Sequence, residues 1–181
     1  MKKALVMIFI LILIVSAVSC GGKNDIEVVG IVLEVNESGG FLIDVLDGYA
    51  EDKMQVHLDK RIEYEDGVTQ EDIVPGVVVG IYIKDEVMES YPVQATATSI
   101  LWTEKIVTGV ILSAGEDAVL ISVTEGYDAD LMQLWLEEDT VFYRNIPRVM
   151  EKQKTVSFTM KDEVLETEPI QGFAIRIVNY E

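Results

Sequence analysis

Lys84-Asp85-Glu86-Val87-Met88-Glu89 is answered further along the chain by Lys161-Asp162-Glu163-Val164-Leu165-Glu166. The agreement continues outward at a nearly constant offset. Pro92 and Gln94 match Pro169 and Gln171, Met54-Gln55-Val56-His57-Leu58 matches Met132-Gln133-Leu134-Trp135-Leu136, and Gly48-Tyr49 matches Gly126-Tyr127. Gly30-Ile31-Val32-Leu33 matches Gly109-Val110-Ile111-Leu112. An ordered series that needs only single-residue gaps is the signature of tandem duplication. The chain is expected to carry one small domain twice, over residues 25–101 and 102–181.

Each copy reads as strands. Residues 28–36 and 105–114 are rich in β-branched side chains, with Gly30 and Gly109 inside the runs, where a glycine marks a bulge or bend. Residues 41–45 and 118–123 follow after short turns and complete a hairpin. Period-two alternation predicts third strands at 54–58 and 132–136. Fourth strands are expected at 77–83 and 155–160, and fifth strands at 93–101 and 170–178. Between the third and fourth strands of copy one, Thr69 can cap a helical turn that Pro75-Gly76 ends. The expected fold class is all-β with a short helical turn, as two tandem five-stranded barrels. The element order is that of an OB-like barrel, with an SH3-like barrel as the alternative.

Ahead of the repeats, Met1-Lys2-Lys3 precedes an apolar run from Ala4 to Val15. At ~1.5 Å per helical residue this run covers about 18 Å, short of the ~30 Å hydrocarbon core of a bilayer. It reads as a signal peptide over residues 1–19. The run ends in Ser16-Ala17-Val18-Ser19-Cys20-Gly21-Gly22, which resembles the bacterial lipobox, with Ala17 where leucine is commonest. That resemblance implies cleavage before Cys20 and lipid anchoring through it, with residues 20–24 as a tether and the protein at the outer face of the cell membrane. Cys20 is the one cysteine in the chain. An exported chain with a single thiol can form no internal disulfide, and acylation would remove an otherwise exposed reactive group.

The formal charge is −18, from 32 acidic and 14 basic residues. Loss of Lys2 and Lys3 with the leader would make it more negative. Such a surface repels phosphate backbones, which argues against nucleic acid, and favours cationic partners or bound cations. His57, the one histidine, corresponds to Trp135 in the second copy, so a shared general base or metal ligand is not expected there. It reads as a partly buried strand residue. Thiol catalysis and Cys/His zinc sites are excluded within this chain, and no Gly-x-Ser-x-Gly or phosphate loop occurs. Carboxylates remain. Asp85-Glu86 and Asp162-Glu163, kept in both copies after a lysine, are the candidate residues for recognising a partner or a cation such as Ca²⁺, against a plain reading as solvated hairpin turns. Glu125, Asp128 and Asp130 form a weaker calcium candidate. Trp102, between the copies, is expected to pack the two domains together.

The segment Glu89-Ser90-Tyr91-Pro92-Val93-Gln94 resembles the hallmark of the YobA-like family of exported bacterial domains. That resemblance implies a small β-barrel on secreted or lipid-anchored proteins and brings no established activity with it. In copy two the segment becomes Glu166-Thr167-Glu168-Pro169-Ile170-Gln171, so a role for Ser90 or Tyr91 need not be shared. The leading expectation is a non-enzymatic, lipid-anchored binding or accessory module for an envelope partner. A carboxylate-based hydrolase and a structural spacer are the rivals.

Overall fold

A computed structural model of the chain describes residues 26–65, 67–84 and 87–181. The expected leader, Cys20, its tether, and Asp85 and Glu86 lie outside the described residues. The protein is all-β. In the first half the strands are β1 (Ile26–Val35), β2 (Phe41–Asp47), β3 (Lys53–Tyr64), β4 (Val77–Ile83) and β5 (Val93–Lys105). The second half holds β6 (Val107–Ala114), β7 (Ala118–Glu125), β8 (Leu131–Phe142), β9 (Thr155–Met160) and β10 (Ile170–Tyr180). Each set closes into a five-stranded barrel, in the order β1-β2-β3-β5-β4 and, equivalently, β6-β7-β8-β10-β9. In both, the third and fifth strands pair in parallel while the remaining pairs are antiparallel.

Alternation along the strands explains the two cores. Phe41, Ile43 and Val45 of β2, with Met54 and Val56 of β3, point inward, and Leu42, Asp44 and Gln55 between them are half-buried. The second core repeats this with Val119, Ile121, Met132 and Leu134. Each such side chain taken fully out of water contributes roughly 1.5–3 kcal/mol. Val77-Val78-Val79-Gly80-Ile81 of β4 does not alternate, because both of its faces are covered. Val77, Val79 and Ile81 fill the first barrel, whereas Val78 joins a separate cluster with Val29, Leu46, Tyr143 and Val178 that lies between the barrels.

Gly30 and Gly109 sit at register breaks in β1 and β6, between Val29 and Gly30 and between Thr108 and Gly109, as expected of bulges that help a small barrel curl. Gly48 and Gly126 take φ values of 85° and 86°. A Cβ at either would stand 2.0 Å from the Glu27 carbonyl oxygen or 2.2 Å from that of Ile106. The helical turn is a 3₁₀ turn over Gln70–Asp72. Thr69 donates both its backbone N–H and its hydroxyl to Asp72 Oδ2, at 2.8 and 2.7 Å.

β5 continues beyond Leu101 to Lys105, because residues 102–105 still pair with Val77–Gly80 of β4. Only Ile106 then separates it from β6, so the junction between the barrels is short and buried. Trp102 packs there, as expected. Its indole lies over Gly80, where a Cβ would come within 2.4 Å of the ring, and Arg176 of β10 stacks on it at 4.0 Å from the centroid. Arg176 also pairs with Glu104, whose second oxygen accepts from the Thr159 hydroxyl at 2.5 Å. Burial pushes the Tyr143 phenol above its ordinary pKa, and its hydrogen bond with Arg176 opposes that shift. On the other side of the contact Arg144 reaches Asp44 Oδ1 at 2.7 Å and the Val45 carbonyl at 3.1 Å.

Candidate functional site

The repeated Lys-Asp-Glu sequence divides into parts with different tasks. Lys84 forms an ion pair with Asp59 at the outer half of β3, and Lys161 does the same with Glu137 of β8. The Glu137 hydrogen bond holds the Lys161 ammonium above its ordinary pKa. The lysine therefore straps the loop before the fifth strand to the third strand, which is reason enough for its presence in both barrels. Asp162 and Glu163 are exposed, and Asp162 lines a groove.

That groove, of about 900 Å³, runs along the contact between the barrels. The first barrel supplies Glu71, Asp72 and Val74 from the segment between β3 and β4, and Thr103, Glu104 and Lys105 from the end of β5. The second supplies Tyr127 from the turn after β7 and Asp162, Val164 and Glu166 from the loop after β9. Tyr127 and Glu166 also border an adjoining hollow with Asp128, Thr167 and Glu168. The surface is acidic, with Lys105 and the already paired Lys161 as its cations. Asp72 is held below the ordinary carboxylate range by the Thr69 hydroxyl and backbone N–H, so it remains charged.

Among the described residues no group of three or more His, Cys, Asp or Glu side chains stands close enough to hold a metal ion. Glu125, Asp128 and Asp130 are thus not gathered into one cluster of carboxylates. The displaced carboxyl, Asp72, is moved downward by a turn-capping role, opposite to the raised pKa of a glycosidase acid.

The Pro-x-Gln segment is shared more closely than its letters suggest. Ser90 donates its hydroxyl to the Pro92 carbonyl at 2.6 Å, and Thr167 donates to Pro169 at the same distance, so the role of Ser90 is kept. Both X–Pro bonds, Tyr91-Pro92 and Glu168-Pro169, are cis. Gln94 and Gln171 pair through their backbones with Met88 and Leu165. Their side chains meet the third strand, where His57 Nε2 lies 3.3 Å from Gln94 Oε1 and Trp135 Nε1 donates to Gln171 Oε1 at 3.0 Å. His57 is exposed rather than partly buried, because its position lies on the outward face of β3.

Sequence reading found Asp162 and missed Glu71, Glu104, Val74 and Tyr127. These residues come from opposite ends of the two repeats, so no comparison of one copy with the other could bring them together. No protein-family model matches the chain, and a search of curated proteins finds no match for it.

Proposed function

We propose that this chain is a lipid-anchored, extracytoplasmic binding or accessory protein without catalytic activity, and that it takes a cationic segment of an envelope partner into the groove between its barrels. The observation that carries the binding role is the groove itself. A concavity of about 900 Å³ has facing walls from the two barrels, the carboxylates of Glu71, Asp162 and Glu166, and the apolar surfaces of Tyr127, Val74 and Val164. That volume falls within the ~300–1,000 Å³ of ordinary ligand sites. A lysine or arginine would find its charge matched by Glu71, Asp162 and Glu166 and its methylene stem covered by the apolar residues. This favours recognition over a passive spacer, and the lack of a gathered cation cage among the described residues favours a partner over Ca²⁺.

The barrels themselves read as OB-like and duplicated. The strand order, the parallel closing pair and the 3₁₀ turn between β3 and β4 support the first. The paired bulges, lysine straps and hydroxyl contacts support the second. Membership of the YobA-like family rests on the Glu89–Gln94 segment, and the anchor rests on Cys20 and the residues around it.

Calorimetric titration of the mature chain with an oligolysine peptide, and separately with calcium, tests the site. Glu71→Gln, Asp162→Asn and Glu166→Gln together should weaken oligolysine binding several-fold and reduce its salt dependence, while thermal stability stays the same. Equal affinity in the two proteins would remove the groove from the account. A parallel variant with Asp85→Asn, Glu86→Gln and Glu163→Gln, which leaves Asp162 in place, separates the groove from the acidic loops. Cys20→Ala should shift the protein out of the detergent phase or leave an unprocessed precursor.

A further inference from the structure

We infer that the occupant of the groove is an extended polypeptide segment with at least two cations, one held in the groove and the other in the hollow that adjoins it. The inference rests on the reading of the groove given above and specifies what the groove takes. The hollow, of about 660 Å³, lies between the turn after β7 and the loop after β9, and is lined by Tyr127, Asp128, Glu166, Thr167, Glu168 and Ile170. Tyr127 and Glu166 line the groove as well, so the two concavities meet across these side chains and form one path.

The two barrels provide an internal comparison for this place. Their frames agree. The Val45 N–H donates to the Asp52 carbonyl at 2.8 Å and the Val123 N–H to that of Asp130 at 3.0 Å, while Ser90 and Thr167 make the same hydroxyl contact at 2.6 Å. On that common frame the charges differ. Asp128 and Glu168 stand where the first barrel has Ala50 and Tyr91, and the first barrel's Glu51 lies one residue further on, where the second has Ala129. Neither Ala50 nor Tyr91 borders the groove or the hollow. The two substituted carboxylates therefore belong to the barrel whose turn and loop continue the groove.

These charges are open to an outside partner. Asp128, Glu166 and Glu168 are exposed. The ion pairs among the described residues are Lys84–Asp59, Arg144–Asp44, Lys161–Glu137 and Arg176–Glu104, so no cation of the chain is paired with any of the three. Nor do carboxylates converge in threes among the described residues, as a metal ion requires. Charges spread along a path match cations spread along a chain. Asp162 in the groove and Glu168 in the hollow are at most about 21 Å apart, at ~3.5 Å per residue of the loop that joins them. An extended segment of about six residues covers the same length. Between the two ends stands Tyr127, 37% exposed, whose ring can cover an apolar residue or a methylene stem of the segment. A single exposed attraction of this kind is weak. Two on one chain reinforce each other, because the second contact forms within the complex.

Amide chemical-shift titration of the mature chain at low ionic strength reads place and affinity together. The probes are two capped peptides with a central leucine, one with two lysines about six residues apart and one with the second lysine replaced by glutamine. The two-lysine peptide should move the amides of Val74 and Asp162 together with those of Asp128 and Thr167, and should bind several-fold more tightly than the other. Asp128→Asn with Glu168→Gln should reduce that ratio to about two, the statistical gain of a second identical group. Asp128→Ala with Glu168→Tyr, which installs the first barrel's own residues on the shared frame, should do the same. A ratio of about two in the unaltered chain, or a larger one that both variants keep, overturns the inference and leaves the groove standing. Spermine that binds as tightly as the two-lysine peptide and moves the same amides overturns the polypeptide as occupant. If Glu71→Gln with Asp162→Asn leaves the affinity for both peptides unchanged, the groove reading itself fails and takes the inference with it.

Discussion

The indole N–H of Trp135 donates to Gln171 Oε1 at 3.0 Å, in the place where His57 Nε2 stands 3.3 Å from Gln94 Oε1 in the first barrel. Two different rings thus address the same glutamine across the parallel pair of third and fifth strands. The position selects a ring nitrogen of suitable reach, which is a structural requirement that both residue types satisfy. Gln171→Ala should cost about 0.5–1.5 kcal/mol, the net worth of an ordinary hydrogen bond. In Trp135→His the bond should be largely retained, with a smaller loss than in Trp135→Ala. Denaturant unfolding of the three variants checks this ordering, and a histidine variant no better than alanine would contradict it.

Gly80 and Trp102 are cross-strand partners, and the indole occupies the space a side chain at position 80 would need. Gly80→Ala should destabilise by roughly 1–3 kcal/mol through overpacking. Combined with Trp102→Ala, much of that penalty should disappear, since residues in direct contact give non-additive changes. Additive losses in the double-mutant cycle would mean that the ring does not fill that space.

Arg176 links the barrels by pairing with Glu104 while stacking on Trp102. Both charged side chains are about four-fifths buried, at 17% and 20% exposure, so removing one strands the other. Glu104→Gln should cost somewhat less than the ~3–5 kcal/mol of a fully buried pair broken on one side. Arg176→Lys should restore little, because the guanidinium both forks toward the carboxylate and stacks on the indole. Thermal unfolding followed by near-ultraviolet circular dichroism reads stability and the Trp102 environment together. A wild-type melting temperature in either variant would show that the pair contributes nothing.

Two exposed groups give stability opposite dependences on pH. The Asp72 carboxyl has a lowered pKa, first through the Thr69 hydroxyl and then its backbone N–H. Its contribution is present above the unfolded value and is lost as pH falls through the folded value, on the acid side of pH 4. Lys161 has a raised pKa, led by the Glu137 hydrogen bond, so its contribution is present below the ordinary value of about 10.5 and is lost as pH rises through the higher folded value. Asp72→Ala should therefore differ from wild type at neutral pH and converge with it in acid. Lys161→Met should converge with wild type only in strong alkali. Unfolding curves across pH that remain parallel would contradict both assignments.

Much of this architecture was legible before any coordinates. β4 and β9 stand where patterning predicts them, over 77–83 and 155–160. Their boundaries are marked by Pro75-Gly76 and by the polar residues around Lys154, and turn chemistry of this kind is local. Strands β3 and β8 run well past Leu58 and Leu136, to Tyr64 and Phe142. Asp59-Lys60-Arg61 and Glu137-Glu138-Asp139 are polar and fall in a break of register, and pairing with the fifth strands resumes only at Glu63 and Val141, with Ile62, Tyr64 and Phe142 packed against the cores. Alternation could not reveal that.

By itself, the order of residues determined an all-β chain with two similar sets of five strands, because periodicity, β-branching and turn residues act over distances of a few residues. It also marked Trp102 as a junction residue. Only the tertiary structure decided how the two barrels face one another. That arrangement depends on Val78 and Gly80 on the outer side of a strand, on Arg176 reaching back to Glu104, and on Arg144 reaching Asp44. These are contacts across some 70 to 100 residues of chain, as in Arg176–Glu104 and Arg144–Val45. The acidic groove follows from the same packing, since it brings Glu71, Val74 and Lys105 at one end of the first barrel against Tyr127, Asp162 and Glu166 at the unlike end of the second.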